Sequence, residues 1–166
     1  MKRRIFFIKS KEIIPCPICG GKLIVRDSRK RKIIQSDGRC ETYQIRRLRC
    51  KACCKIHSEL PDFMHPHKNY ASAVVQEELD ETGISCPADN STIARWKLDF
   101  KKRKQMLEGL LQALWLEILK KPFRLLHPIS LLETLRKQKS DWLSFVHRTL
   151  VNHGFAIHTQ FAWCPS

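Results

Sequence analysis

Hydrophobic and polar positions change their period part-way along this chain. Between Lys22 and Arg49 apolar residues come in short runs or interleave with bases, as in Lys22-Leu23-Ile24-Val25-Arg26-Asp27 and Ile45-Arg46-Arg47-Leu48-Arg49. Such patterning predicts two strands, the second with one charged face. Ser36-Asp37-Gly38-Arg39 lies between them and reads as the turn of a hairpin, with Asp-Gly supplying the tolerance of positive φ. Residues 5–14 predict a short strand or an arm packed on that hairpin. From Glu59 to His67 two prolines and no helical period predict a linker, and His65 and His67, flanking Pro66, are expected at the surface.

Beyond Ser72 the period lengthens. Ser72 to Leu79 predicts a short helix with Ser72 as N-cap, Val75 and Leu79 four apart on one face, and Gly83 as its stop. Asp89, Asn90 or Ser91 caps a second helix, on which Ile93, Trp96 and Phe100 share a face and Thr92, Arg95 and Lys102 lie away from it. A short helix, a turn and a second capped helix outline a helix-turn-helix, although many helical hairpins share that outline. Leu107, Leu110, Leu111, Leu114 and Ile118 extend the stripe toward a stop at Pro122, with Gly109 costing up to about 1 kcal/mol against alanine. Two more helices are predicted over 129–139 and 140–153. The latter has Ser140 as cap, Gly154 as stop, and Trp142, Leu143, Val146 and Leu150 as its stripe. The apolar tail 155–163 is expected to pack back.

Cysteines bracket the hairpin. Pro15-Cys16-Pro17-Ile18-Cys19-Gly20-Gly21 precedes it and Arg49-Cys50-Lys51-Ala52-Cys53 closes it. Two residues between cysteines let a tight turn aim both sulfurs at one point. Two such turns brought together offer four thiolates in a tetrahedron, the geometry zinc prefers. Cys16, Cys19, Cys50 and Cys53 are therefore the expected ligands of one structural zinc ion. The spacer of 30 residues exceeds the roughly 15–20 usual for such ribbons, so the arms are extended or carry an insertion. Cys54 and His57 rank as substitutes for one ligand, Cys40 is assigned to the hairpin core, and Cys86 and Cys164 sit alone before prolines. Unliganded buried thiols would leave the pairing without a reason.

The expected fold is thus α+β in three parts: a zinc ribbon over 1–62, a helix-turn-helix over 63–104 and a C-terminal helical region over 105–166. A catalytic zinc needs an open position beside three protein ligands; four cysteines and the lack of a His-Glu-x-x-His motif argue against one. No nucleophile elbow, phosphate loop or dinucleotide glycine motif occurs, so no enzyme activity is expected.

Charge supplies a partner. Lys and Arg number 31 against 16 Asp and Glu, a net of +15 with a pI of about 9.8. A chain this basic meets a polyanion, nucleic acid first and an anionic membrane second. Residues 1–60 hold 17 bases and 5 acids, residues 61–100 hold 3 and 7, and residues 101–166 hold 11 and 4. Contact is therefore expected at the ribbon and the C-terminal third. Arg29, Lys30, Arg31 and Lys32, with Arg46, Arg47 and Arg49, are candidate phosphate contacts, which bind without specifying sequence. A solvated strand face is the alternative. If the helix at 92–102 enters a major groove, Ser91, Thr92 and Arg95 face base edges, and Lys97, Lys101 and Lys102 face the backbone. The alternative is a capped helix in a bundle, with Trp96 in the core rather than a stacking platform. No run reaches 18 apolar residues, the N-terminal apolar stretch is too short for a secretory core, and eight cysteines suit a reducing compartment. A cytoplasmic, nucleoid-associated protein is expected.

These residues resemble a family. Cys16-Pro17-Ile18-Cys19-Gly20-Gly21, Arg26-Asp27-Ser28, Ile45-Arg46-Arg47-Leu48-Arg49-Cys50 with Cys53, Ile56-His57 with Glu59-Leu60-Pro61-Asp62-Phe63, and Ser91-Thr92-Ile93 with Arg95-Trp96-Lys97 are similar to a bacterial family that carries a zinc ribbon followed by a helix-turn-helix and is associated with insertion sequences. Leu150-Val151-Asn152 and His158-Thr159 extend the likeness. It implies double-stranded DNA as partner, zinc on the four cysteines, Thr92 to Lys97 in a recognition helix, and a regulatory or accessory role beside a mobile element. The order of modules is similar to the front end of several transposases. Their RNase-H-like nuclease needs three metal-binding carboxylates on a large α/β domain, and the helical stretch after residue 102, with Glu108, Glu117, Glu133 and Asp141, leaves no room for it. Rival readings are an RNA- or ribosome-associated ribbon protein, a protein adaptor acting through the leucine stripe 107–118, and a nuclease or transposase fragment. A homodimer through the C-terminal helices is a further expectation; neither a membrane nor a small-molecule substrate is.

Overall fold

A computed structural model describes residues 4–10, 15–65, 68–83, 85–119, 130–153 and 162–163. The strand built from Ile45-Arg46-Arg47-Leu48-Arg49 is its centre. This strand, β3 (Cys40–Cys50), pairs on one edge with β2 (Leu23–Ile34), antiparallel from Leu23↔Cys50 to Ile34↔Cys40. On its other edge lie two short strands end to end. β1 (Ile5–Phe7) runs parallel to it, and β4 (Ile56–Glu59) runs antiparallel. β5 (Ala162–Trp163) adds parallel to β4. The long cysteine spacer is thus taken up by two extended arms. Their turn closes with Gly38 at φ 77°, a Gln35 N–H donating to Arg39 O at 2.9 Å, and the Asp37 carboxylate accepting from the Arg39 N–H at 2.9 Å.

Four helices follow: α1 (Ser72–Asp80), α2 (Asn90–Leu119), α3 (Leu131–Gln138) and α4 (Trp142–Asn152). α2 runs through Gly109 without a break, 30 residues in all. Asp89 caps it. Its carboxylate accepts from the Ser91 hydroxyl, the Thr92 N–H and the Thr92 hydroxyl, and these bonds, the Ser91 one foremost, pull its pKa down to about 2. The connection from α1 to α2 spans residues 81–89, longer than the three or four residues of a tight helix-turn-helix.

Three helix ends depart from the sequence reading. Ser72 does not cap α1; its hydroxyl donates to Asp62 O at 3.2 Å, because the chain doubles back and buries this serine. α1 ends at Glu81, in the left-handed region with φ 57°, before Gly83 is reached. α4 starts at Trp142, not Ser140. Gln76 of α1 spans that start: its amide nitrogen donates to Ser140 O at 2.6 Å and its amide oxygen accepts from the Leu143 N–H at 3.1 Å.

The predicted linker is core. Leu60, Pro61, Met64 and His65 are buried. The prolines break the period, yet the residues between them fill the seam between sheet and helices. One buried cluster runs from Ile33, Tyr43 and Ile45 of the sheet through Leu60 and Met64 to Val74, Trp96, Leu107, Leu132 and Trp142. His65, expected at the surface, meets His147 edge-on with ring centroids 4.4 Å apart. Cys40, expected in the core, is exposed, since it shares the open face of the sheet with Thr42 and Gln44. Readings placed on His67, Ile84, Pro122, Gly154, the tail 155–161 and Cys164 lie outside the described residues. Among the described residues no helix is long and apolar enough to cross a membrane.

Candidate metal centre and basic surface

Each Cys-x-x-Cys forms a knuckle. In the first, the Gly20 N–H donates to Cys16 O and the Cys16 N–H to Gly21 O, both at 2.8 Å; Gly20 sits at φ 69°. In the second, the Cys50 N–H donates to Lys55 O at 2.9 Å and the Cys53 N–H reaches Cys50 Sγ at 3.5 Å. β2 and β3 bring the knuckles together. A Cβ added at Gly21 would lie 2.9 Å from both Ala52 Cβ and Cys50 Sγ, so only glycine lets them meet.

The result is a compact sulfur cluster. The Sγ atoms of Cys16, Cys19, Cys50 and Cys53 all lie within 4.8 Å of one another. Cys16 is 3.7 Å from Cys53, and Cys19 is 3.5 Å from Cys50. A tetrahedral ion at about 2.3 Å from each sulfur sets neighbouring sulfurs about 3.8 Å apart. The donor set therefore fits such an ion, and four sulfurs fill its coordination. Crowding splits the thiol acidities. The Cys53 N–H, foremost among several hydrogen bonds, pulls Cys50 down to about 6. A backbone N–H favours the Cys53 thiolate too, but burial and the three neighbouring sulfurs push it up to about 12. A cation among the sulfurs would relieve that repulsion and displace the remaining protons. Cys54, at φ 59°, is exposed and stands outside the cluster. His57 is fully buried, with Nε2 3.3 Å from Cys16 Sγ; it stands behind a ligand rather than among them.

The predicted nucleic-acid contacts separate into two groups. Arg29, Lys30, Lys32, Arg49, Lys101 and Lys102 are exposed, and none has a carboxylate partner among the described residues. The others have internal work. Arg31 donates to His65 O at 2.7 Å and Lys68 O at 2.6 Å, pinning the hairpin to the loop beside it. Arg46 grips the fully buried Glu59 with Nε and a terminal nitrogen, each at 2.5 Å. Arg47 grips Asp27 in the same two-pronged way. Glu59 and Asp27 were not singled out from the sequence. Asp27 can be paired with Arg47 by counting back from the turn, since the register is unbroken from Ile34↔Cys40 to Asp27↔Arg47 and the bulge lies beyond it, between Val25 and Asp27.

On α2, Ser91 and Thr92 serve the Asp89 cap. Arg95 is exposed and lies along the helix start, donating to Ser91 O at 3.3 Å and Thr92 Oγ1 at 2.9 Å. Lys97 pairs with Glu81 at 3.0 Å. Trp96 points inward, 6% exposed, its ring edge-on to Tyr70 and 5.9 Å from the Lys68 ammonium. The face bearing Arg95, Leu98, Lys101 and Lys102 is open to solvent.

Residues 16–96 match a protein family described as a domain of unknown function (DUF6431). The matched stretch runs from the first cysteine of the sulfur cluster to the buried tryptophan of α2. No curated protein matches the chain, and no solved structure does.

Proposed function

We propose that this protein is a non-catalytic DNA-binding protein whose sheet end is held by one zinc ion. The observation that carries the reading is the set of exposed bases with no carboxylate partner among the described residues, Arg29, Lys30, Lys32 and Arg49 on the hairpin and Lys101 and Lys102 on α2. Unpaired surface cations are available to phosphates, whereas Arg46 and Arg47 already hold carboxylates. Four thiolates in a tetrahedron favour zinc over harder cations. α2 is the recognition element in this reading: Trp96 anchors it inward and Arg95 is exposed on its outer face, held along the helix start by Ser91 O and Thr92 Oγ1. The long 81–89 connection makes its support the whole helical layer rather than a tight two-helix hairpin. A regulatory or accessory role beside a mobile element is the setting that the sequence resemblance supplies.

Competition between duplex DNA and structured RNA at physiological salt tests this. Duplex binding should weaken steeply with salt. Lys101→Ala with Lys102→Ala should flatten the log–log salt slope by about 2 units, since each phosphate contact contributes about 0.9. Arg95→Ala should relax sequence preference by about 1–3 kcal/mol at one position. RNA outcompeting the duplex would move the assignment to RNA, and salt-insensitive or absent binding would move it to a protein adaptor.

A further inference from the structure

Phe7 is 75% exposed, more than any other large apolar residue described. Its direction follows from its neighbours. Phe6 stacks on the buried Tyr43, ring centroids 5.3 Å apart, so it lies on the core side of the sheet. Successive side chains alternate faces, so Phe7 rises from the opposite side. Arg31 repeats the argument on β2: it reaches inward to His65 and Lys68, which sends Lys30 and Lys32 outward.

Register then assembles a surface. Phe7 is opposite Gln44, and Gln44 is opposite Lys30. One row along, Ile5 is opposite Thr42, and Thr42 opposite Lys32. Gln44 donates to the Ser28 hydroxyl at 2.6 Å, which steadies the polar middle of the face. Among the described residues the face presents no free acid. Asp27 and Glu41 belong to the core side with Arg47 and Tyr43, and Glu59 is buried against Arg46. An exposed aromatic ring beside polar amide and hydroxyl groups, with two lysines two strands away, suits stacked bases and a phosphate backbone together.

We propose that this face of β1, β3 and β2 is a stacking platform for single-stranded nucleic acid, with a base on Phe7 and phosphates on Lys30 and Lys32. The proposal shares the nucleic-acid reading above but does not need α2 to enter a groove. A lysine-flanked aromatic also suits an anionic lipid surface. The amide and hydroxyl groups between Phe7 and the lysines favour bases, whose edges they can meet.

The test uses the full, metal-loaded chain and four probes at physiological salt: an oligothymidine of about 15 residues, an abasic strand of equal charge, a duplex, and phosphatidylserine vesicles. Phe7→Ala should weaken oligothymidine binding roughly 5- to 100-fold and leave abasic-strand and duplex binding unchanged. Phe7→Trp should restore it. Lys30→Ala with Lys32→Ala should weaken both single strands. Unchanged oligothymidine binding by Phe7→Ala overturns the proposal. So does an equal loss on the abasic strand, or a loss confined to vesicles. If duplex binding is absent while oligothymidine binding follows Phe7, the groove-reading role of α2 falls and the platform stands.

Discussion

Arg136 and Asp80 join helices that are far apart in sequence. Nε and a terminal nitrogen of Arg136 lie 3.0 and 2.7 Å from the same oxygen of Asp80, and Trp142 Nε1 donates to the other oxygen at 2.7 Å. The guanidinium also donates to Leu79 O at 2.9 Å and faces the rings of Phe100 and Trp142 at 5.7 and 5.2 Å. All four helices meet at this pair. Asp80→Ala should cost about 1–3 kcal/mol in urea denaturation, since it leaves the Trp142 indole N–H unpaired and the half-buried Arg136 with only Glu133, 3.3 Å away, as a carboxylate. Arg136→Lys should recover little of the loss from removing Arg136, because an ammonium lacks the planar fork and the ring contact.

Glu108 of α2 caps a different helix. Its carboxylate accepts from the Leu131 and Leu132 N–H groups at 2.8 and 2.9 Å and from the Ser130 hydroxyl. Burial alone would raise its pKa; the Ser130 hydroxyl and the α3 N–H groups outweigh it and hold the pKa below the ordinary value. A depressed folded pKa means the contribution is present above the ordinary carboxyl range and is lost as pH falls through the folded value. α3 should therefore loosen first below about pH 4.5. Glu108→Ala should show that loosening at every pH, at about 1–2 kcal/mol. Hydrogen exchange of the α3 amides measured against pH checks both.

Metal content is the direct test of the sulfur cluster. Replacing Cys16, Cys19, Cys50 or Cys53 by serine should abolish tight binding of one equivalent of zinc, whereas Cys40→Ser and Cys54→Ser should leave it intact. Chelation of the wild-type chain should release protons on reloading and should loosen amides of β2, β3 and β4 before those of α1 and α4. Retention of one equivalent by a Cys50→Ser chain would refute the assignment.

Arg46 and Lys30 should part company under mutation. Arg46→Ala leaves Glu59 buried without its partner and should cost about 3–5 kcal/mol of stability. Lys30→Ala should leave the melting temperature unchanged while weakening nucleic-acid binding and flattening its salt dependence. Denaturation and binding measured on the same preparations separate the two effects.

The parts of the fold legible in the sequence were those set by local chemistry. Asp37-Gly38 marked the turn, the two Cys-x-x-Cys pairs marked the cluster, and Ile93, Trp96 and Phe100 marked the inward face of α2. Features that depend on a distant partner were not legible. The start of α4 is spanned by Gln76 and α3 is capped partly by Glu108, so a search for caps beside each helix finds Ser140 and misses the real donors and acceptors. Glu59 opened the predicted linker; only the strand pairing of β3 with β4 sets it against Arg46. Leu60 and Met64 lacked a period because they fill a seam between two layers rather than one face of an element.

β3 is the strand against which β1, β2 and β4 are all laid. During synthesis, then, the hairpin can zip outward from its turn, Ile34 with Cys40 first, and its last rung, Leu23 with Cys50, waits until residue 50 has left the ribosome. The same residue is the third sulfur of the cluster. Closing that last rung carries Cys50 to the first knuckle, so a nascent chain cut short before Cys50 can hold a hairpin but has no place for an ion.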